Sequence, residues 1–362
     1  MPPIRIEVAA AAGAYPVVIG SGTLAQLPQL LDQSGLGPRR VIVSSPPIWD
    51  LHGPSLARVA TEQTPILVPD GERYKTTTTV ARVYESLIEM GADRATVIIA
   101  VGGGVIGDLV GFAAATYLRG VRLVQIPTTL MAQVDSAVGG KTGVNHALGK
   151  NLIGAFHPPR LVLADPAFLV TLHRREFRAG VYEVIKYGII ASPALFDRVD
   201  RSLAELFARD PDAVAAVVAE SCRIKAEIVS ADERESGHRR ILNFGHTVGH
   251  AIEAVTKYRR FRHGEAVAYG MLATIALGAA RGITPPDVRD RVSNLITKLG
   301  PLPPVVDLSA KEMLAAIRRD KKIIDGTLHF VAATAIGTST TLTDVTDKEL
   351  KGALKAIGIT KA

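Results

Sequence analysis

The chain has 362 residues and a mass of 38.4 kDa, with 47% apolar and 21% charged residues. That is material for two cored domains and excludes a disordered chain. Lys and Arg number 42 against 35 Asp and Glu, a net charge of +7. The basic residues are scattered and aromatics are only 5%, which argues against a nucleic-acid surface built on clustered charge and base stacking. Cys222 is the single cysteine, so a disulfide framework is excluded and a reducing, cytoplasmic compartment is expected.

The N-terminal alternation Ile4-Arg5-Ile6-Glu7-Val8, followed by Tyr15-Pro16-Val17-Val18-Ile19, predicts two paired strands. A leader peptide is the weaker reading, because Glu7 cancels Arg5 ahead of the apolar stretch. Further along, the runs 40–44, 64–68, 96–101, 123–126 and 161–163 predict buried strands. Residues 23–31 and 77–90 predict helices, with Gly35 and Gly91 as stop signals. Strands spaced by helices define an α/β domain with a mainly parallel sheet, assigned to residues 1–168. Past residue 170 the texture turns helical, with helices expected over 179–190, 213–229, 246–255, 265–280, 286–299 and 310–319. Residues 169–362 are therefore expected to form an all-α domain, with room for one late strand pair from Gly326 onward. No membrane partner is expected. The apolar stretch 266–280 has 15 residues, short of the roughly 18 that span a bilayer, and 95–118 is broken by Asp108 and five glycines.

Open sheets of this kind bind ligands at the carboxyl ends of their strands. Directly after the strand ending at Val101 comes Gly102-Gly103-Gly104-Val105-Ile106-Gly107-Asp108, which fits G-x-G-x-x-G. Such glycines let backbone N–H groups approach a phosphate at a helix N-terminus. The full dinucleotide fingerprint wants an acid about 20 positions on, where this chain has Gln125-Ile126-Pro127. A pyrophosphate turn and a merely tight strand-to-helix turn both stay open. The run 127–151 follows another strand and holds Asp135, Lys141, Lys150 and Asn151 among four glycines. An anion site suits those lysines, with a solvated loop as the alternative. A third set is metal-like. His246 and His250 stand at i and i+4 of one helix, and His263 follows in the next. Glu183 and Lys186 lie one turn apart on an earlier helix. Two histidines and a glutamate with open positions suit catalytic zinc, and a hydrogen-bonded core histidine suits His250 equally well.

Six motifs now stand in order: GGGVIGD, IPTTLMAQVDSAVGGKTGVN, GKNLIGAF, EVIKYGII, LNFGHTVGHAIE and HGEAVAYGM. Together they closely resemble the 3-dehydroquinate synthase family of the shikimate pathway, over about residues 15–337. The wider group is the sugar phosphate cyclases and, more distantly, the iron-dependent alcohol and glycerol dehydrogenases. The resemblance implies an N-terminal NAD-binding α/β domain, a helical metal- and substrate-binding domain, and a homodimer. It implies Zn2+ (or Co2+) held by Glu183, His246 and His263. NAD would be held by Glu72, Lys75, Gly103, Gly104, Val105, Asp108, Thr128 and Thr129. The small anionic sugar phosphate substrate would meet Arg119, Asp135, Lys150, Lys225, Arg239, Asn243 and one of Lys321 and Lys322. Lys141, Asn151, Lys186 and His250 would complete the catalytic group, with Glu235 orienting it and His250 shuttling protons.

The implied substrate is 3-deoxy-D-arabino-heptulosonate 7-phosphate, whose carboxylate and phosphate account for so many cations. The implied chemistry is transient oxidation by NAD, phosphate elimination, re-reduction, ring opening and intramolecular aldol closure. Two positions depart from the family pattern. Ser44-Ser45-Pro46-Pro47 stands where many relatives carry Asp and Asn for the adenosine ribose, and Ala179 where relatives often have a polar residue near the cofactor. Both bear on cofactor affinity.

Overall fold

The structure, a computed structural model, describes residues 2–58, 64–235, 237–319, 323–324 and 327–361. Lys321, Lys322 and Gly326 therefore lie outside the described residues. The chain divides into two compact units, 1–173 with 209–234, and 174–208 with 235–362.

The first unit is built on a seven-stranded sheet. Its strands are β1 (Ile4–Val8), β2 (Tyr15–Ile19), β3 (Arg40–Ser44), β4 (Ile66–Leu67), β5 (Val97–Gly102), β6 (Arg122–Pro127) and, after a separate hairpin, β9 (Leu161–Ala164). The order is β1-β2-β9-β6-β5-β3-β4, with β1 antiparallel to β2 and every other pair parallel. The expected mainly parallel sheet and N-terminal strand pair are both present.

Alternation along β5 explains the layering, because successive side chains point to opposite faces. Val97, Ile99 and Val101 join Leu27, Leu31, Ile42 and Leu56 in one core, while Ile98 and Ala100 join Val41, Val83, Leu87 and Leu109 in another. Helices α1 (Leu27–Gln33) and α2 (Pro46–Ala57) contribute to the first of these; α3 (Thr77–Glu89) and α4 (Gly104–Thr116) contribute to the second. A sheet buried on both faces reads as continuous apolar runs, and β2, β5 and β9 do.

Three features differ from expectation. Residues 23–26 form a 3-10 turn before α1, so the first helix starts at Leu27. The run 127–151 is not a simple loop, since it enters the hairpin β7 (Lys141–His146) and β8 (Gly149–Phe156). Gly143 pairs with Gly154 there, and a Cβ on Gly154 would lie 2.3 Å from the Thr142 carbonyl oxygen. The glycines thus permit close backbone approach rather than disorder. Finally, helix α8 (Pro211–Ala231) belongs with the first unit. Ser230 Oγ accepts from Ala9 N at 3.0 Å, and Glu233 accepts from Ala11 N at 2.7 Å. A single boundary at 168 does not describe this division.

The second unit holds α5 (Arg174–Ala191), α6 (Pro193–Arg201), α7 (Leu203–Phe207), α9 (His246–Val255), α10 (His263–Ala280), α11 (Pro286–Lys298), α12 (Ala310–Arg318) and α13 (Asp347–Ala356). It is helix-rich but not all-α. Short antiparallel pairs are formed by β10 (Ile323–Ile324) with β11 (Thr327–Leu328), and by β12 (Phe330–Ala335) with β13 (Thr338–Leu342). Its core joins Val248, Ile252, Ala266, Leu277, Met313, Phe330 and Leu354.

Candidate active site

In the first unit the glycine turn links β5 to α4, which begins at Gly104. Gln125, standing where the dinucleotide fingerprint wants an acid, instead lies beneath the turn and donates from Nε2 to the Gly107 carbonyl at 3.1 Å. One turn into α4, Asp108 receives Lys75 Nζ at 2.5 Å, and the same ammonium reaches Asn151 Oδ1 at 2.6 Å. Lys75 is 3% exposed. Burial pushes the Asp108 carboxyl above its ordinary range, against the pull of that ammonium. Glu72 accepts from Asn145 Nδ2 at 2.8 Å and lies 3.5 Å from Lys150 Nζ. Asn145 Oδ1 in turn accepts from Asn151 N at 3.0 Å. The hairpin therefore delivers Lys150 and Asn151 to the Glu72–Lys75 loop.

Gly103 and Gly104 face Thr129 and Ser136, and Thr128 N donates to Gly102 O at 2.9 Å, so both threonines stand at the glycine turn. Val105 is in its first helical turn. Residues 132–136 form a π-helical turn, a geometry frequent at functional sites. It presents Asp135 to Lys225 of α8, whose Nζ donates at 2.6 Å to both Oδ1 and the carbonyl. Lys141 opens β7 and is exposed.

The Ser44–Pro47 departure also has a physical account. Pro46 and Pro47 occupy the first turn of α2, where a missing N–H costs nothing. Ser44 Oγ donates to Val101 O at 2.9 Å, whereas the fully buried Ser45 hydroxyl has no partner among the described residues.

The second unit brings Glu183, His246, His250 and His263 together. Ring nitrogens of the three histidines lie within 4.8 Å of one another. Glu183 Oε1 is 3.7 Å from His246 Nε2 and 3.6 Å from His263 Nε2. His246 Nδ1 faces the Phe244 carbonyl at 3.1 Å, and His263 Nδ1 faces Glu253 Oε2 at 3.0 Å. Carbonyls and carboxylates only accept, so both Nδ1 atoms carry the hydrogen. In the neutral rings each Nε2 is then the atom that can offer a lone pair.

Separations of 3.6–3.7 Å are too long for hydrogen bonds. They match the roughly 3.4 Å between ligands that each sit about 2.0–2.2 Å from one tetrahedral cation. Glu183 is fully buried, and its Oε1 has no hydrogen-bond partner among the described residues. Its Oε2 is paired with the buried Lys186 Nζ at 2.6 Å, which leaves Oε1 as the oxygen facing the histidines. The buried Glu183 Oε1 and two oriented imidazoles form a donor set that fits a divalent cation.

Close helix packing produces this arrangement. A Cβ on Gly270 would lie 1.7 Å from the Gly245 carbonyl oxygen, bringing the backbones of α9 and α10 into contact. A Cβ on Gly264 would meet the Ala179 carbonyl oxygen at 2.0 Å, so α10 presses equally on α5. Glu265 clasps the same pair of helices. It is fully buried and accepts from Arg175 Nε and Nη2 at 2.7 Å each, and from Arg262 N at 2.9 Å. Burial alone would raise its carboxyl, but the Arg175 bonds, the Arg262 N–H and Arg178 hold it below the ordinary range.

Nearby, Asn243 Nδ2 donates to Glu235 Oε1 at 2.7 Å, and Arg239 is 2% exposed. Arg119, Asn151 and Glu235 all have left-handed backbones, with φ of 68°, 52° and 61°. Strain of this kind gathers at functional sites. Sequence reasoning missed Glu253 and Glu265. Glu253 stands three residues after His250 and seven after His246, a helical spacing that marks a shared face.

The fold and site define an α/β nucleotide-binding unit paired with a helical unit that carries a histidine–carboxylate cluster. Solved sugar phosphate cyclases share this fold. The chain superposes on 2-epi-5-epi-valiolone synthase from Streptomyces hygroscopicus subsp. jinggangensis 5008, solved with NAD+ and Zn2+, with a TM-score of 0.89 and 32% identity, covering 96% of this chain and 98% of that one. It also superposes on 2-deoxy-scyllo-inosose synthase complexed with carbaglucose-6-phosphate, NAD+ and Co2+, with a TM-score of 0.87 and 25% identity over 98% and 100% of the two chains. Residues 65–179 match the family model of the 3-dehydroquinate synthase N-terminal domain, and 180–323 match the C-terminal one. A 3-dehydroquinate synthase of Synechococcus sp. is 46% identical over 98% of this chain and 99% of its own length. The chain belongs to the 3-dehydroquinate synthase family.

Proposed function

We propose that the protein is a phosphate-eliminating lyase that converts 3-deoxy-D-arabino-heptulosonate 7-phosphate to 3-dehydroquinate and phosphate, a step of the shikimate pathway. The observation that carries the reading is the buried donor set of Glu183 Oε1 and the Nε2 atoms of His246 and His263. These residues would hold Zn2+ or Co2+, and His250 lies within reach of the same position. When bound, NAD would accept a hydride reversibly from the ring carbon that bears the hydroxyl, and the divalent ion would polarise that hydroxyl and ease loss of its proton.

The chain's own residues bind, orient and move protons. Glu72, Lys75, Gly103, Gly104, Val105, Asp108, Thr128 and Thr129 would hold the dinucleotide, an assignment supported by the glycine turn and the Lys75–Asp108 pair. Arg119, Lys141, Lys150, Asn151 and Lys225 in the first unit would meet the anionic substrate, with Asp135 fixing the Lys225 ammonium. Lys186, Arg239 and Asn243 in the second unit would do likewise, with Glu235 orienting the Asn243 amide. A lysine of the 321–322 pair is assigned to the substrate on the family motif alone. His250 is proposed to shuttle protons at a ring nitrogen, because its pKa class lies near neutrality.

The enzyme is read as a cytoplasmic homodimer. Among the described residues no helix is long and apolar enough to cross a membrane, and light scattering of the purified chain tests the dimer.

The decisive assay is phosphate release from 3-deoxy-D-arabino-heptulosonate 7-phosphate with trace NAD, before and after chelation. Release far exceeding the NAD present, and lost with the chelator, is the expected result. Stoichiometric accumulation of NADH would instead indicate a dehydrogenase, and release only from sedoheptulose 7-phosphate would indicate another cyclase.

A further inference from the structure

We propose that Glu253 is a positioning residue of the metal site, fixing the tautomer and ring plane of His263 so that its Nε2 faces Glu183. The inference rests on the reading of Glu183, His246 and His263 as ligands. Glu253 lies on α9, is 4% exposed, and places Oε2 3.0 Å from His263 Nδ1. A carboxylate oxygen accepts from a ring N–H, so the hydrogen sits on Nδ1, and in the neutral ring Nε2 is the atom left with the lone pair. That Nε2 is the atom 3.6 Å from Glu183 Oε1. A carboxylate on the far side of the ring also raises the basicity of the ligating nitrogen.

His263 needs such a partner more than His246 does. The His246 ring is oriented by a backbone carbonyl, that of Phe244, and its side chain is 11% exposed. The His263 side chain is 33% exposed and opens the first turn of α10. Glu253 is a buried group that holds the Nδ1 edge of the His263 ring. Of the two orienting contacts, therefore, only the one to His263 can be removed by substituting a side chain.

The test uses chelator-stripped full-length protein and three variants, Glu253→Gln, Glu253→Ala and His263→Ala. Zinc affinity is measured by competition with a chromophoric chelator, and the ligand field by the visible spectrum of the Co2+ form. Loss of an orienting carboxylate behind a metal-bound histidine costs about 10–100-fold in affinity. Glu253→Ala is expected to fall in that range with altered Co2+ bands. Glu253→Gln keeps an acceptor oxygen without the charge, so its loss is expected to be smaller. Urea unfolding of the metal-free proteins is expected to show wild-type stability for Glu253→Gln, which carries the test if Glu253→Ala does not fold.

Wild-type zinc affinity and an unchanged Co2+ spectrum in the Glu253 variants, with binding lost in His263→Ala, would overturn the inference and leave the ligand set standing. Wild-type affinity in His263→Ala would overturn the ligand reading, and the inference with it.

Discussion

Gly270→Ala separates close backbone packing of α9 and α10 from simple helix propensity, because the two predict opposite signs. In an unobstructed helix, alanine in place of glycine stabilises by about 1 kcal/mol. At position 270, however, the new Cβ would lie 1.7 Å from the Gly245 carbonyl oxygen. An ordinary carbon–oxygen contact is about 3.3 Å, so the helices must separate by roughly 1.6 Å at that point. Overpacking of this kind costs about 1–3 kcal/mol, enough to offset the propensity gain or exceed it. The same separation carries His246 and His263 apart, since one lies on α9 and the other on α10.

Gly352 serves as the control. It lies inside α13, is exposed, and has nothing within 4 Å of its ideal Cβ. Urea unfolding of the metal-free proteins, followed by circular dichroism, is expected to show Gly352→Ala stabilised by about 0.5–1 kcal/mol. Gly270→Ala is expected to be destabilised, with zinc bound at least tenfold more weakly. A Gly270→Ala protein as stable as the control variant, with wild-type zinc affinity, would refute the packing argument.

Lys75→Met removes the donor to Asp108 and Asn151 and is expected to cost about 3–5 kcal/mol at pH 7. Burial already raises the folded-state pKa of Asp108, and loss of the ammonium raises it further. A raised acid loses stability as pH rises, so the deficit measured by unfolding is expected to be smaller at pH 4 than at pH 7. Glu349 shows the opposite sign. Hydrogen bonds from Arg281 and Thr346 hold its carboxyl down at about 2, against an ordinary 4.5. That stabilisation is complete above 4.5 and is lost as pH falls toward 2, and Arg281→Met is expected to flatten this acid limb. The Cys222 thiol is buried, donates to Gln133 O at 3.2 Å, and is pushed up to about 12 by burial. Native protein is therefore expected to resist a thiol reagent at pH 8 and to release one thiol per chain in denaturant.

The sequence showed the parts that depend on residue type and hid those that depend on backbone approach. The apolar run 97–101 is legible as a strand because both faces of the sheet are buried there, and 123–126 follows the same pattern except at Gln125, which bonds the Gly107 carbonyl. The β7–β8 hairpin has no such signature. Gly143, Asn145, Gly149, Asn151 and Gly154 resemble loop residues, and the reason for two of these glycines is a contact with the opposite strand. Pro46-Pro47 likewise looks like a break, yet two prolines fit the first turn of α2. Periodicity identified α8 as a helix but could not say which core it joins, since apolar spacing carries no address.

The proposed metal site divides in the same way. His246, His263 and Glu183 are legible as donor types, and their motifs set them on helices of known spacing. Which nitrogen each ring offers is decided by the Phe244 carbonyl, a group present at every position of every chain, and by a glutamate seen only once α9 packs on α10. Chemistry set by an element type can be read ahead of the fold. Chemistry set by a tautomer needs the acceptor behind the ring, and that acceptor belongs to the packing.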